Sequence, residues 1–158
     1  MSGGDEVQLV AFRVGGQDFA FNIFQVERIL RYTAPAPLPK APDFLEGVLD
    51  YGGAAVPLVD LRKRLSVPAP LKEETRIMIL AGDDGRVGVL VDAVTEVMQV
   101  AAEEITAPPK IVKGLAAAYI AGLVVKDGRT TIVLNPGQLL NATERLALEA
   151  VRSETRAS

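Results

Sequence analysis

Two carboxylates stand where acid–base chemistry would place them. Asp60 and Asp92 each follow a valine at the end of an apolar run. A pair of carboxyl groups flanking one bond is the equipment of glycoside hydrolysis. Each has a simpler use. Asp60 precedes Leu61-Arg62-Lys63-Arg64 and suits a helix N-cap, whose carboxylate accepts the orphan amides of the first turn. Asp92 suits a turn. Nothing joins them, because the 158 residues contain no His and no Cys. That removes imidazole bases, thiolates, disulfides and most zinc sites. Ser2, Ser66, Ser153 and Ser158 lie near the termini or in a Pro-rich link, with no His to activate them. Gly15-Gly16, Gly52-Gly53 and Gly85/Gly88 are no phosphate cradle, since no Lys-Ser/Thr follows and none opens a long helix. Hairpin turns account for them. The expectation is no catalytic residue, no cofactor and no metal.

Composition points the same way. The chain has 17 basic and 20 acidic residues, a net charge of −3. A nucleic-acid binder would show a basic excess, and the longest basic cluster here is Arg62-Lys63-Arg64. Lys63 and Arg64 are expected on a solvated helix face. The start, Met1-Ser2-Gly3-Gly4-Asp5-Glu6, lacks the charge and apolar stretch of a signal peptide. No run approaches the ~20 apolar residues that span a bilayer. A cytoplasmic protein without direct membrane insertion is expected. Hydrophobic residues make up 49% of the chain, with no Trp. Aliphatic side chains must therefore fill the core.

The elements that would position a site come in two sets. Val7 to Val14 reads as a strand, Gly15 to Asp18 as a turn, and Phe19 to Ile23 as a returning strand with alternate apolar positions. Arg76 to Ala81, Gly82 to Gly85 and Arg86 to Val91 repeat the arrangement. Phe19 to Ile29 aligns without gaps on Val87 to Val97, so that Val26 meets Val94 and Ile29 meets Val97. Phe44 to Leu49 then falls on Tyr119 to Val124, Gly47 on Gly122, Gly52-Gly53 on Asp127-Gly128, and Val59-Asp60 on Leu134-Asn135. The second half carries a longer middle segment, roughly 98–118. An internal duplication explains the match. It predicts an all-β fold of two five-stranded barrels, whose closure removes exposed strand edges. The barrel cores are expected at about 15–65 and 76–140, within one domain over 7–150, with flexible termini at 1–6 and 153–158.

Helices are expected to be short. Asp60 caps Leu61 to Leu65, and Asn135-Pro136 has the same form, with Pro tolerated at the first helical position. Asn141 to Glu144 resembles a capping box that starts a C-terminal helix with Leu146 and Ala150 on one face. Ser66 to Pro70 is the candidate linker between halves. Thr33 to Pro39 is Pro-rich and extended, a surface crossing within the first half. Phe19, Phe44 and Tyr119 are expected in the core.

A family resemblance follows from these residues. Leu9 to Phe12, Phe19, Ile23, Val26, Ile29, Pro39, Phe44, Gly47-Val48 and Gly53, then Val56 to Arg62, resemble the CheW family of bacterial chemotaxis coupling proteins. The second half agrees in Gly88 to Val97, Ile105, Pro108, Tyr119 to Gly122 and Ile132 to Asn135. The resemblance covers about 7–150. It implies two SH3-like barrels and a non-enzymatic adaptor that joins chemoreceptor cytoplasmic tips to the regulatory domain of a CheA-type histidine kinase, with other CheW-like proteins as further partners. It also implies an inter-barrel groove that receives the receptor's helical hairpin.

Three departures from the family pattern cluster in the first half. Gly52 stands where the family commonly has Arg, Arg28 where it often has Glu, and Glu46 where a basic residue is common. One reading is paralogue drift, with Arg28 paired instead to Asp50 or Glu46. The other is altered partner choice, since rearranged charges penalise a wrong partner as well as favour a right one. The expected partner-binding residues are Val26, Arg28, Ile29, Glu46, Gly47, Val48, Gly52 and Val56, with shallow apolar strips around Val26, Ile29, Val48 and Val56. Two other functions remain open: an accessory adaptor that binds receptors but not kinase, and a peptide- or small-molecule-binding barrel outside chemosensing.

Overall fold

A computed structural model describes residues 5–39, 41–64, 70–82, 85–107 and 120–139. The candidate C-terminal helix, Tyr119, Pro108 and most of the candidate linker lie outside these residues. The regular structure of the described part is mostly strand: β1 (Glu6–Val14), β2 (Gln17–Asn22), β3 (Val26–Arg31), β4 (Leu45–Tyr51), β5 (Ala54–Asp60), β6 (Arg76–Gly82), β7 (Gly85–Val91), β8 (Ala93–Ala101), β9 (Ile120–Lys126) and β10 (Arg129–Leu134). One short helix, α1 (Leu61–Arg64), follows β5, and a 3₁₀ turn over Pro136–Gln138 follows β10.

The ten strands form two five-stranded SH3-like barrels. One sheet has the order β8-β1-β2-β10-β9, the other β3-β6-β7-β5-β4. The hydrogen bonds thus divide the strands differently from barrels taken in chain order over 15–65 and 76–140. The first barrel (A) combines β1–β2 with β8–β10, and the second (B) combines β6–β7 with β3–β5. The joins across halves are parallel: β10 beside β2, and β5 beside β7. β1–β2, β4–β5, β6–β7 and β9–β10 pair antiparallel as neighbours in the chain. The chain crosses between barrels after β2 and again after β7.

The repeat is visible in the irregularities. Glu27 is an extra residue bulged out of the β3–β6 ladder, and Thr95 is its match in β8–β1. Glu46 and Ala121 are matched bulges in β4–β5 and β9–β10. Each barrel closes by one bridge, Ala36 to Val48 in B and Thr106 to Leu123 in A. Glycine permits both closures. A Cβ on Gly47 would overlap the Ala36 carbonyl, and φ is +151° there. A Cβ on Gly122 would lie 2.6 Å from Ile105 Cγ2 and 3.1 Å from the Thr106 carbonyl oxygen.

Strand alternation sorts the apolar residues into three cores. Leu49, Val56, Leu58, Ile77, Ile79 and Leu90 fill barrel B. Leu9, Ala20, Val100, Val124 and Val133 fill barrel A. The opposite faces of β1, β2, β6 and β7 meet between the barrels, where Val10, Phe12, Phe21, Met78, Leu80 and Val89 form the third core. Phe12 stacks on Phe19 and Phe21, with centroids 5.9 and 5.0 Å apart. Phe44 packs against this core, as its aromatic character predicted.

Candidate functional site

Asp60 and Asp92 are held by an arginine that the sequence reading placed only within a motif. Asp60 ends β5 and is 2% exposed. Its Oδ1 accepts from the Arg62 backbone amide at 3.0 Å, the expected cap, and from Arg62 Nε at 2.9 Å. Arg62 Nη2 donates to Asp60 Oδ2 at 3.1 Å, which completes a bidentate pair. Arg62 Nη1 donates to the Pro70 carbonyl and lies 3.6 Å from Asp92 Oδ1. Asp92 Oδ2 accepts from the Gly15 amide at 2.8 Å. Burial pulls the Arg62 pKa down, but the bond and charge of Asp60, joined by Asp92, outweigh it and raise the pKa above its ordinary value. The guanidinium is therefore a permanent cation inside the fold. Neither carboxylate is placed as a free acid or base. They fasten barrel B to the β1–β2 turn of barrel A.

The matching end of the other half is uncharged. Asn135 Oδ1 caps the Gly137 amide at 3.0 Å, as Asp60 caps Arg62. Gly137 stands in place of the arginine, and Phe24, 91% exposed, in place of Asp92.

The expected partner residues separate into distinct places. Val26 and Ile29 lie on β3 opposite Leu80 and Met78, on the face turned to the inter-barrel core. Ile29 is 42% exposed. Arg28 is exposed and makes no ion pair with a described residue. The pairing to Asp50 or Glu46 that the paralogue-drift reading offers is not made. Glu46, on the β4 bulge, binds Lys63 at 3.3 Å, and Asp50 Oδ1 accepts from the Gly53 amide at 3.0 Å. Lys63 is thereby tied down rather than merely solvated. Gly47 is buried at the barrel closure. Val48 is half-buried beside Ala36. Gly52 sits at φ +60° with open space around it. Its counterpart Asp127 adopts φ 53°, so a side chain fits this turn conformation. Val56 is 1% exposed, in the core of barrel B. It offers no surface, and the apolar strip expected to include it does not reach that far.

One charged group escaped the sequence reading. Arg86 Nε on β7 lies 2.9 Å from the Glu27 carboxylate on the β3 bulge. The Arg86 guanidinium lies 5.7 Å from the Tyr51 ring centroid. The hydrogen bond from Arg86, with a second from Tyr51, holds the Glu27 carboxyl below the usual carboxylate range. Glu27 and Arg86 are 59 positions apart, too far for any local pattern to join them.

Each barrel has an open mouth beside its outer strand. In B, the small Ala54 and Ala55 leave a cleft of about 560 Å³, floored by Leu30, Leu49 and Ile77. In A, the counterparts of those alanines are Arg129 and Thr130, and the cleft of about 360 Å³ is charged. There Asp18 lies 3.3 Å from Arg13 Nε and 2.8 Å from Arg129 Nη2. Among the described residues, no group of three His, Cys, Asp or Glu could hold a metal ion, and no helix is long and apolar enough to cross a membrane.

Comparison with known proteins agrees with this architecture. A family model described as the CheW-like domain matches residues 8–144. The chain is 34% identical over 147 residues to the chemotaxis protein CheW of Rhizobium meliloti, covering 92% of this chain and 94% of that one. Protein FrzA of Myxococcus xanthus is 28% identical over 146 residues, with coverage of 90% and 91%. The crystal structure of the scaffolding protein TtCheW from Thermoanaerobacter tengcongensis shares the fold, with a TM-score of 0.81 at 24% identity over 89% of this chain and 91% of that one. The family match, which runs from β1 through β10, and the doubled barrel together give one assignment: the chain belongs to the CheW-like domain family.

Proposed function

We infer that this protein is a cytoplasmic, non-enzymatic scaffold that couples chemoreceptor tips to the regulatory domain of a CheA-type histidine kinase. The observation that carries the reading is the CheW-like match over 8–144, on a chain whose relatives are chemotaxis proteins. The fold supports it physically. A core between the barrels holds two related but unlike surfaces on one body, which is what a coupling protein requires. Asp60 and Asp92 are committed to Arg62, so the most suggestive carboxylates are occupied by structure. Partner engagement then acts on the kinase through geometry alone.

A second reading has its own support. Arg28 is exposed without an ion-pair partner among the described residues, and Gly52 has no side chain to offer. An accessory adaptor that holds receptors or other CheW-like proteins, but not kinase, would show such changes. Titration against the regulatory domain of the same organism's kinase, and against a receptor-tip hairpin, separates the two. Binding to both supports coupling, and binding to the receptor alone selects the accessory role. Binding to neither refutes coupling and an accessory role at the receptor.

A further inference from the structure

We propose that each barrel carries its own side-chain latch across the seam between its two end strands, Tyr51 to Glu27 in B and Lys126 to the β8 backbone in A, and that each latch sets how often the cleft behind it opens. Such a device belongs to the fold and works whichever partner the chain binds.

The seams are the weak places of the two barrels. β3 and β4 end the sheet order of B, and β8 and β9 end that of A, so neither pair shares a ladder. One bridge closes each seam: Ala36 with Val48 in B, and Thr106 with Leu123 in A, each through backbone bonds of 2.9 and 2.8 Å. The clefts lie along the unpaired remainder. In B, Leu30 lines one side and Leu49 and Tyr51 the other. In A, Met98 and Gln99 face Lys126.

Away from each bridge, a side chain crosses the seam. Tyr51 stands as far beyond the bridged Val48 as Lys126 stands beyond the bridged Leu123, and each ends its strand. In B, the Tyr51 hydroxyl donates to the Glu27 carboxylate. Arg86 Nε holds that carboxylate at 2.9 Å, and its guanidinium lies 5.7 Å from the Tyr51 ring centroid. A bulge re-aims the side chain it carries, and this one turns a carboxylate of β3 toward the end of β4. The Tyr51 ring itself packs on the core of B. In A, Lys126 Nζ donates to the Gln99 carbonyl of β8 at 3.3 Å. Thr95, on the matched bulge, has no carboxylate, and Asp18, in place of Arg86, is taken up by Arg13 and Arg129. The two halves thus cross the seam from the same position by different chemistry. Divergence replaced the bonding groups and kept the crossing. Both links are partly exposed to water, so each is weak enough to release without unfolding the cores.

Amide hydrogen exchange of the whole chain, read residue by residue by NMR, tests the latches. The Ala36 and Val48 amides exchange when the seam of B opens, those of Thr106 and Leu123 when the seam of A opens, and those of the β6–β7 ladder when the fold as a whole opens. Tyr51→Phe removes only the donor, and Glu27→Ala the acceptor. Each should speed exchange at Ala36 and Val48 roughly threefold to tenfold, the effect of one lost hydrogen bond, and leave Thr106 and Leu123 unchanged. Lys126→Met should do the reverse. Unchanged rates at the bridges in all three variants overturn the latches. So does a rise at both bridges together with the β6–β7 ladder, because the substitutions then lower the stability of the whole chain. A rise at both bridges with the ladder unchanged overturns the independence of the two seams. A response in one barrel alone overturns the claim that both are latched.

Discussion

Arg62→Ala should be among the most damaging substitutions in this protein. Arg62 is 3% exposed and Asp60 2%. Removing the guanidinium leaves Asp60 buried with its charge uncompensated, takes the donor from the Pro70 carbonyl, and takes the ion-pair partner from Asp92, which keeps the Gly15 amide. Breaking a buried pair from one side costs about 3–5 kcal/mol, far more than an exposed pair is worth. For a chain of this size that corresponds to a fall of roughly 6–20 °C in Tm. The repeat supplies the control. At the matching end, Asn135 caps a chain that has Gly137 where the arginine would be, with no charge to bury. Asp60→Asn together with Arg62→Ala copies that solution in part. It keeps a capping oxygen and removes the stranded charge. The double variant should therefore be more stable than Arg62→Ala alone by about 1–3 kcal/mol, the cost of a buried polar group left unsatisfied. Urea denaturation followed by far-UV circular dichroism measures all three proteins. A loss below about 1 kcal/mol in Arg62→Ala would refute the reasoning, because that is the range of an exposed ion pair. So would a double variant no more stable than the single one.

Gly47→Ala should lower the urea midpoint more than Gly16→Ala does, although both positions have positive φ. Strain alone costs about 1–3 kcal/mol at each, but a Cβ at Gly47 also meets the Ala36 carbonyl, while Gly16 has open space. Equal losses would show that barrel closure does not depend on that close approach. Glu27 gives a pH dependence with a definite sign. Arg86 and Tyr51 depress its folded pKa, so its contribution is full above the unfolded glutamate value and is lost as pH falls through the depressed one. The stability difference between the wild type and Glu27→Gln should be flat from neutral pH down to that range and shrink below it. A difference that stays constant into strong acid would contradict the pairing. Finally, residues 1–64 and 65–158, made as separate fragments, should each lack cooperative unfolding and recover the native circular dichroism spectrum when mixed. A fragment 1–64 that unfolds cooperatively alone would contradict the exchange of strands between halves.

Much of the fold was legible because the repeat leaves its mark on local patterns. Gly15-Gly16 and Gly52-Gly53 mark hairpins, and Gly47 matches Gly122 because both barrels close over a backbone that allows no side chain. The exchange of strands was not legible. A hairpin such as β4–β5 has the same alternation whichever barrel it joins. The parallel contacts that decide the matter, Leu58 beside Gly88 and Val133 beside Ala20, join residues far apart in sequence. Val56 was misplaced for a related reason. β5 lies between β7 and β4, and Val56 to Asp60 are all buried. A strand covered on both faces loses the alternation that tells inside from outside. Asp60 was legible as a cap, but Arg62 as its buried partner was not, since an arginine beside Lys63 and Arg64 reads as solvated surface.

The exchange bears on how an adaptor of this kind can work. Had each half closed its own barrel, the connection between barrels would have been one linker, and binding at one surface need not constrain the other. Here the chain crosses after β2 and again after β7, and each barrel contains strands from both halves. A continuous core joins the faces of β1 and β2 to those of β6 and β7. Bending between the barrels would have to open that core, where truncating a residue such as Phe12 costs about 3–5 kcal/mol. The Asp60–Arg62–Asp92 cluster adds a directional fastening at one crossing, and the other crossing carries Phe24 in the open. Duplication gave the two barrels one geometry, while divergence at Arg28 against Glu96 and Ala54 against Arg129 gave them different chemistry. Two unlike surfaces at a fixed angle can set the relative position of two partners without any reaction and without any change of shape.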